Sequence, residues 1–174
     1  MDRGLGSCCA IYAPPGKVAT TLPSGIRRVS ILRTRPAGGG NTSIKLSLPG
    51  DAGGSVEALL VKGSGTDLRT IGRDGFTRLS LPRLAPLRHA ETMSDAEMMR
   101  FMAGCMLAED PAPSVETPLH SLLPHRVIAH THDVATMSLT NVSDATAERL
   151  IGELFEGRIM CVPYTRPGFP WPGP

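Results

Sequence analysis

Two histidines separated by one residue stand in the segment 127–133, which reads Val-Ile-Ala-His-Thr-His-Asp. If the apolar start of this segment is a β-strand, side chains alternate between its faces, so His130 and His132 project to the same side about 7 Å apart. Two imidazoles placed in this way can bind one metal ion, with Zn–N bonds of about 2.0–2.1 Å. Two ordinary polar residues at the end of a strand are the alternative interpretation.

A carboxylate and a third histidine lie a short distance upstream. Ser114 as N-cap, with Pro118 in the first turn, predicts a helix that begins near residue 114 and ends at Pro124. Glu116 at its N-terminus either interacts favourably with the helix dipole or takes part in chemistry. His120 lies four residues further along, on the same face of the helix, and is expected to pack or to form a hydrogen bond.

Two loops rich in glycine and hydroxyl side chains each adjoin a predicted strand. The first, GGGNTS at 38–43, precedes the alternating stretch 44–48, and the second, GSGTD at 63–67, follows the stretch 57–62. Backbone N–H groups in such loops can approach an anion closely, although a flexible turn explains either loop taken alone. Two of them on neighbouring strands predict a cradle for a phosphate or a similar oxyanion.

The remaining elements must hold these segments together. Ser94 with Glu97 forms a capping-box pattern that predicts a helix continuing to about residue 108, and two more helices are predicted at 134–139 and 144–155. Residues 72–87 are predicted to be loop with short extended pieces. Strands and helices in this order indicate a central sheet flanked by helices.

Composition limits the class of protein. The 174 residues suffice for one domain with a core, and 41% apolar with 20% charged residues is typical of a soluble globular protein. A net charge of +2 favours neither nucleic acid nor a membrane surface as a partner, and 4% aromatic residues argue against stacking on single-stranded nucleic acid. No apolar run approaches the roughly 20 residues of a membrane span. The four cysteines lack CxxC spacing and no secretory signal is evident, which favours a cytoplasmic protein.

The order of five motifs resembles that of the class II aldolase/adducin family: GGGNTS (38–43), VKGSGTD (61–67), PSVET (113–117), HTHD (130–133) and VPYTRPGF (162–169). The resemblance covers about residues 38–169. It is strongest to the aldolase half of rhamnulose-1-phosphate aldolase-like proteins, some of which carry a fused short-chain dehydrogenase. It implies a three-layer α/β/α fold around a mostly antiparallel sheet, and a homo-oligomer, usually a tetramer, with active sites between subunits.

The resemblance also implies a zinc-dependent carbon–carbon lyase that cleaves a ketose phosphate such as rhamnulose 1-phosphate. In this family zinc acts as a Lewis acid and a carboxyl group moves the proton. The roles fall on particular positions: zinc ligands His130 and His132, catalytic acid/base Glu116, and phosphate-binding residues Asn41, Ser64, Gly65 and Ser114.

Two departures from the family pattern keep other functions open. The family places a third zinc histidine downstream, whereas this sequence has no histidine after His132, so Glu116, His120 or a neighbouring subunit would have to complete the site. Residues 1–36 form a Pro- and Arg-rich leader, and 37–174 are expected to be a C-terminally truncated aldolase/adducin-like domain with an incomplete sheet. The alternatives are a non-catalytic adducin-like module without metal, or a relative that decarboxylates, epimerises or dehydrates.

Overall fold

The computed structural model describes residues 40–50, 53–90, 92–132 and 134–156. These residues fall into two compact units, one up to Thr131 and one that starts at His132. The first unit contains four strands and three helices: β1 (Asn41–Pro49), β2 (Ser55–Lys62), β3 (Phe76–Ser80), α1 (Leu81–Leu84), α2 (Asp95–Gly104), α3 (Thr117–Leu122) and β4 (Val127–His130). Short 3₁₀ turns cover Arg73–Gly75 and Ala85–His89.

The four strands form one sheet in the order β3-β2-β1-β4, and every neighbouring pair is antiparallel. β1 and β2 form a hairpin in which Leu46 lies opposite Ala58. β4 pairs with the start of β1, so that His130 lies opposite Asn41. The predicted α/β class with an antiparallel sheet is confirmed, and so is the predicted hairpin.

The core lies between this sheet and α2. Met98 and Met102, one turn apart on α2, are completely buried in a cluster with Leu59, Val61 and Leu79. Ser94 begins the helix as predicted: its Oγ accepts a hydrogen bond from the Glu97 backbone N–H, while the Glu97 carboxylate accepts one from the Ser94 N–H at 2.9 Å. Such caps stabilise a helix by about 1 kcal/mol. The helix ends at Gly104, four residues before the predicted end.

The prediction of loop with short extended pieces for residues 72–87 is correct for β3, a strand of five residues, but it missed the helix α1. β3 has the sequence FTRLS, and its buried residues include Thr77 and Ser80 beside Leu79. Because two of the three buried side chains are polar, the apolar alternation that identifies a strand is absent. Thr77 is buried because its hydroxyl donates to the carbonyl of Pro111, at 2.7 Å.

α3 begins at Thr117, three residues later than predicted, and its N-cap is Glu116 rather than Ser114. Pro118 lies in the first turn, where its missing N–H costs no hydrogen bond. The Ser114 hydroxyl accepts from the Glu116 backbone N–H at 3.2 Å. Ser114 therefore caps the turn that precedes the helix, and this places Glu116 at the junction of turn and helix.

The second unit contains α4 (Val134–Thr140) and α5 (Asp144–Phe155), which contact each other. Both were predicted, and Ser143 occupies the N-cap position of α5. In the part of the chain that the structure describes, no helix has the length and apolar character needed to cross a membrane.

Several predictions fall outside the described residues: the leader 1–36 with its domain boundary, and the C-terminal segment with the VPYTRPGF motif. The division into a leader and a domain at 37–174 therefore stays a prediction.

Candidate metal centre

Three side chains with metal-binding atoms meet at the end of β4. One ligand atom from each of Glu116, His130 and His132 lies within 4.8 Å of the others, and all three residues are partly buried. The Glu116 Oε1 and His130 Nδ1 atoms are 3.5 Å apart. Two imidazole nitrogens with one carboxylate oxygen form a donor set that suits zinc and neighbouring divalent transition metals. The residues present therefore fit a metal ion.

The two histidines do not lie on one strand as the sequence suggested. β4 ends at His130, and His132 lies beyond the strand, two residues along the same chain segment. The pairing of β4 with β1 positions His130 directly, because His130 lies opposite Asn41 in this strand pair. His132 owes its nearness to the two peptide bonds that join it to His130. The prediction that Glu116 could supply a third donor agrees with this geometry.

Gly40 allows the backbone of β1 to approach this strand end. Its φ angle is +95°, and a Cβ atom built there would lie 2.5 Å from the backbone oxygen of His130 and 3.2 Å from the Cα of Thr131. Real Cβ atoms do not occupy such positions, so a larger residue has to displace the backbone that carries His130. Gly40 thus permits the register that brings His130 beside Glu116.

Asn41 and Ser114, both predicted to bind phosphate, are in direct contact. The Asn41 Nδ2 donates to the Ser114 Oγ at 2.8 Å, and the Asn41 Oδ1 accepts from the Thr42 N–H. Ser114 Oγ also accepts from the Glu116 N–H, so both of its lone pairs are used and its own O–H is directed by these bonds. Since Asn41 is only 1% exposed, it orients Ser114 from within the protein.

The second glycine loop reaches the same segment through its backbone. Gly63 forms an isolated antiparallel bridge with Pro113, and the Ser64 N–H donates to the carbonyl of Ala112 at 2.8 Å. Ser64 and Gly65 are exposed, and Gly65 has a φ of +77° with open space around it. Both loops predicted to form an anion cradle therefore flank residues 112–114, immediately before Glu116.

His120 lies beneath the centre and is completely buried. Its Nδ1 and the Ser43 Oγ share a hydrogen bond of 2.8 Å, and its ring centroid is 6.2 Å from that of His130. Burial, and next the neighbouring charge of His130, lower the pKa of His120 from 6.5 to about 4, against the opposite effect of Glu116. His120 is therefore neutral near pH 7. The prediction that it packs or forms a hydrogen bond is confirmed, and Glu116 rather than His120 belongs to the triad.

Ser43 bonds to His120 beside the candidate centre, and the sequence analysis did not single it out, since it was considered only as part of the GGGNTS loop. Asn41 and Ser43 are alternate residues of β1, so they share one face, and both are buried. The alternation of these two polar residues at the start of a predicted strand was the sequence signal that could have identified Ser43.

We expect Gly40→Ala to weaken metal binding as well as stability. The left-handed φ costs on the order of 1–3 kcal/mol for a residue with a side chain. The clash with the His130 backbone also displaces the strand that carries His130. Urea unfolding of the metal-free protein and a zinc titration measure the two effects.

Gly53→Ala is the matched control, because Gly53 has a φ of +81° but nothing within 4 Å of its added Cβ. It should lose stability and keep the metal affinity of the wild type. Equal metal affinities in the two variants would contradict a positioning role for Gly40.

Known proteins resemble this chain over most of its length. A family model described as the class II aldolase and adducin N-terminal domain matches residues 24–170. The solved N-terminal class II aldolase domain of a conserved protein from Thermoplasma acidophilum is 34% identical, with a TM-score of 0.67 over 76% of this chain and 61% of that chain. The uncharacterized oxidoreductase YuxG of Bacillus subtilis (strain 168) is 38% identical over 133 residues.

The YuxG match covers 76% of this chain but 19% of that protein, so the chain spans about a fifth of this relative's length. The solved aldolase domain shares both sequence and fold with the chain. Since the family model extends over most of the sequence and the sheet carries the expected motifs at one end, the chain belongs to the class II aldolase and adducin N-terminal domain family.

Proposed function

We propose that this domain is a zinc-dependent, aldolase-type carbon–carbon lyase that acts on a ketose phosphate such as rhamnulose 1-phosphate. The observation that carries the proposal is the meeting of Glu116 with His130 and His132, at a point where Ser114 lies two residues from the carboxylate. Groups able to bind a metal, transfer a proton and bind an anion thus lie together in residues 114–116 and at the neighbouring end of β4.

The metal would be held by His130, His132 and Glu116. When bound, zinc supplies Lewis-acid polarisation of carbonyl and hydroxyl oxygens. Glu116 is the residue that moves a proton, because it is the carboxyl group of the triad and is partly exposed at the site. The hydrogen bond from its backbone N–H to Ser114 fixes the start of the side chain.

The phosphate end of the substrate would be bound by Ser114, Ser64 and Gly65, with Asn41 acting through Ser114. The Ser114 hydroxyl already accepts two hydrogen bonds and so offers its O–H as a donor. Ser64 and Gly65 are exposed next to the same segment. Binding a remote phosphate orients the reacting carbons, and this lowers the barrier without further chemistry.

The proposal extends to the assembly and location of the protein. We propose a homo-oligomer, which is a tetramer by family resemblance. A cytoplasmic location agrees with a sugar-phosphate substrate, and the proposal gives nucleic acid and membrane no role. The name oxidoreductase belongs to a much longer relative, and a lyase domain within such a protein agrees with it.

Metal content tests the proposal directly. The purified chain should carry about one zinc per subunit by elemental analysis, because three donors converge on one point. The double variant H130A/H132A should carry none and should not cleave rhamnulose 1-phosphate. Reconstitution with cobalt, manganese and iron compares zinc with other metals that accept the same donors.

His89 and His125 provide the matched control, since H89A/H125A removes two histidines outside the triad. It should retain the metal of the wild type. If neither the wild type nor the control binds a divalent metal, the domain is a non-catalytic adducin-like module. Metal binding without cleavage would instead favour decarboxylation, epimerisation or dehydration of the same class of substrate.

A further inference from the structure

Glu116 lies on a segment that is joined to β1 at two points, one on each side of it. On the N-terminal side Asn41 Nδ2 donates to Ser114 Oγ, and on the C-terminal side Ser43 Oγ shares a hydrogen bond with His120 Nδ1, each at 2.8 Å. The two strand residues share one face of β1 because they are two positions apart. The segment 114–120 is therefore fixed along the strand whose neighbour carries His130.

The second of these contacts uses an unusual residue for a buried position. His120 is 0% exposed, and its Nε2 atom has no hydrogen-bond partner among the described residues. A buried polar atom without a partner lowers stability, and an apolar side chain of similar size would avoid that loss. The imidazole gives one thing that leucine or methionine cannot, namely the bond from Nδ1 to Ser43.

The strand register shows what this bond positions. Ser43 lies opposite Ile128 on β4, and Asn41 lies opposite His130. His120 in turn donates its backbone N–H to the carbonyl of Glu116, at 3.3 Å. A chain of contacts thus runs from the strand pair through Ser43 and His120 to the residue that carries the catalytic carboxylate.

We propose that His120 and Ser43 form a positioning pair, which holds the segment of Glu116 at the distance from His130 that a shared metal ion requires. The inference rests on the proposed metal-dependent function. His120 acts through Glu116 and is not a metal ligand, since its nitrogen atoms are not part of the triad.

Four variants test the pair. S43A and H120L each remove the bond between Ser43 and His120. Two controls are H120N, whose amide can replace Nδ1 beside Ser43, and S47A, which removes an exposed serine of the same strand. Each is measured for zinc affinity, and in metal-free form for melting temperature and for amide hydrogen exchange in residues 114–117. S43A and H120L should lose about 10- to 100-fold in zinc affinity, as is typical when a residue that supports a metal ligand is changed.

In the metal-free form of the same two variants, the amide hydrogens of residues 114–117 should exchange about fivefold faster than in the wild type, the effect expected from one lost hydrogen bond. H120N and S47A should match the wild type in both measurements. H120L removes the unpartnered Nε2 but leaves the buried Ser43 hydroxyl without this bond, so the two effects oppose each other and the melting temperature should change little. A loss of zinc affinity without a matching loss of melting temperature separates positioning from a general contribution to stability.

The pair is excluded if H120L retains wild-type exchange and affinity, or if H120N behaves like H120L. It is also excluded if the losses follow the melting temperature across all variants. If the wild type binds no zinc, the proposed function fails, and hydrogen exchange of the metal-free protein still decides whether the pair positions Glu116.

Discussion

Glu116→Gln should lower the cleavage rate of the ketose phosphate by about 10²- to 10⁴-fold, the usual contribution of a positioned acid or base. Glutamine has nearly the same shape and retains a side-chain oxygen beside His130, which lies 3.5 Å from the carboxylate. It cannot carry a proton, and its charge is gone. The rate is measured at saturating zinc and saturating substrate, so that a weaker metal affinity does not enter the result.

Glu109→Gln is the control, because Glu109 is exposed and lies outside the triad. It should leave the rate unchanged. Zinc content measured in parallel separates the two roles open to Glu116. If E116Q keeps its full zinc content but has little activity, Glu116 is a proton carrier. If E116Q loses both zinc and activity, Glu116 is a metal ligand. An unchanged rate in a zinc-loaded E116Q variant would contradict the proposed acid/base role.

The metal-free protein should lose stability in mild acid because of His120. Burial, followed by the charge of His130, lowers the pKa of His120 from 6.5 to about 4, with Lys45 acting in the same direction and Glu116 opposing it. The unfolded chain therefore binds a proton more readily than the folded protein does. This part of the stability is fully present above pH 6.5 and is lost as the pH falls towards 4, to a total on the order of 3 kcal/mol.

Urea unfolding of the metal-free protein between pH 7 and pH 4 measures this loss. In His120→Asn, which has no group that titrates in the range, the free energy of unfolding should fall less steeply than in the wild type. His89→Asn changes an exposed histidine and should leave the acid slope as it is. Identical slopes in the wild type and H120N would show that His120 does not resist protonation in the folded state.

Local patterns predicted those elements whose stabilising contacts lie close together in the sequence. The capping box at Ser94 and Glu97 joins residues three apart, and the hairpin of β1 with β2 follows from alternation and a glycine turn. The two helices of the second unit also begin and end within a residue of their predicted bounds. Each of these features depends on neighbours, so the residue types were sufficient.

Elements whose burial depends on distant partners were predicted only in outline, without bounds or contacts. β3 buries Thr77 because Pro111, which lies 34 positions away, accepts its hydroxyl hydrogen. Ser114 was predicted to be the N-cap of α3, because serine is common at that position. In the structure its hydroxyl accepts a hydrogen bond from Asn41, 73 positions away. A sequence pattern carries no record of such pairings.

The sequence by itself determined the family, the sheet with its hairpin, and the identity of the residues able to bind a metal, because these follow from residue type and order. Only the tertiary structure decided that Glu116 joins the two histidines, that Gly40 admits the backbone of His130, and that His120 binds Ser43. The reason is physical: the register of β1 against β4 brings together groups that lie far apart along the chain, and that register depends on packing and hydrogen bonds across the sheet.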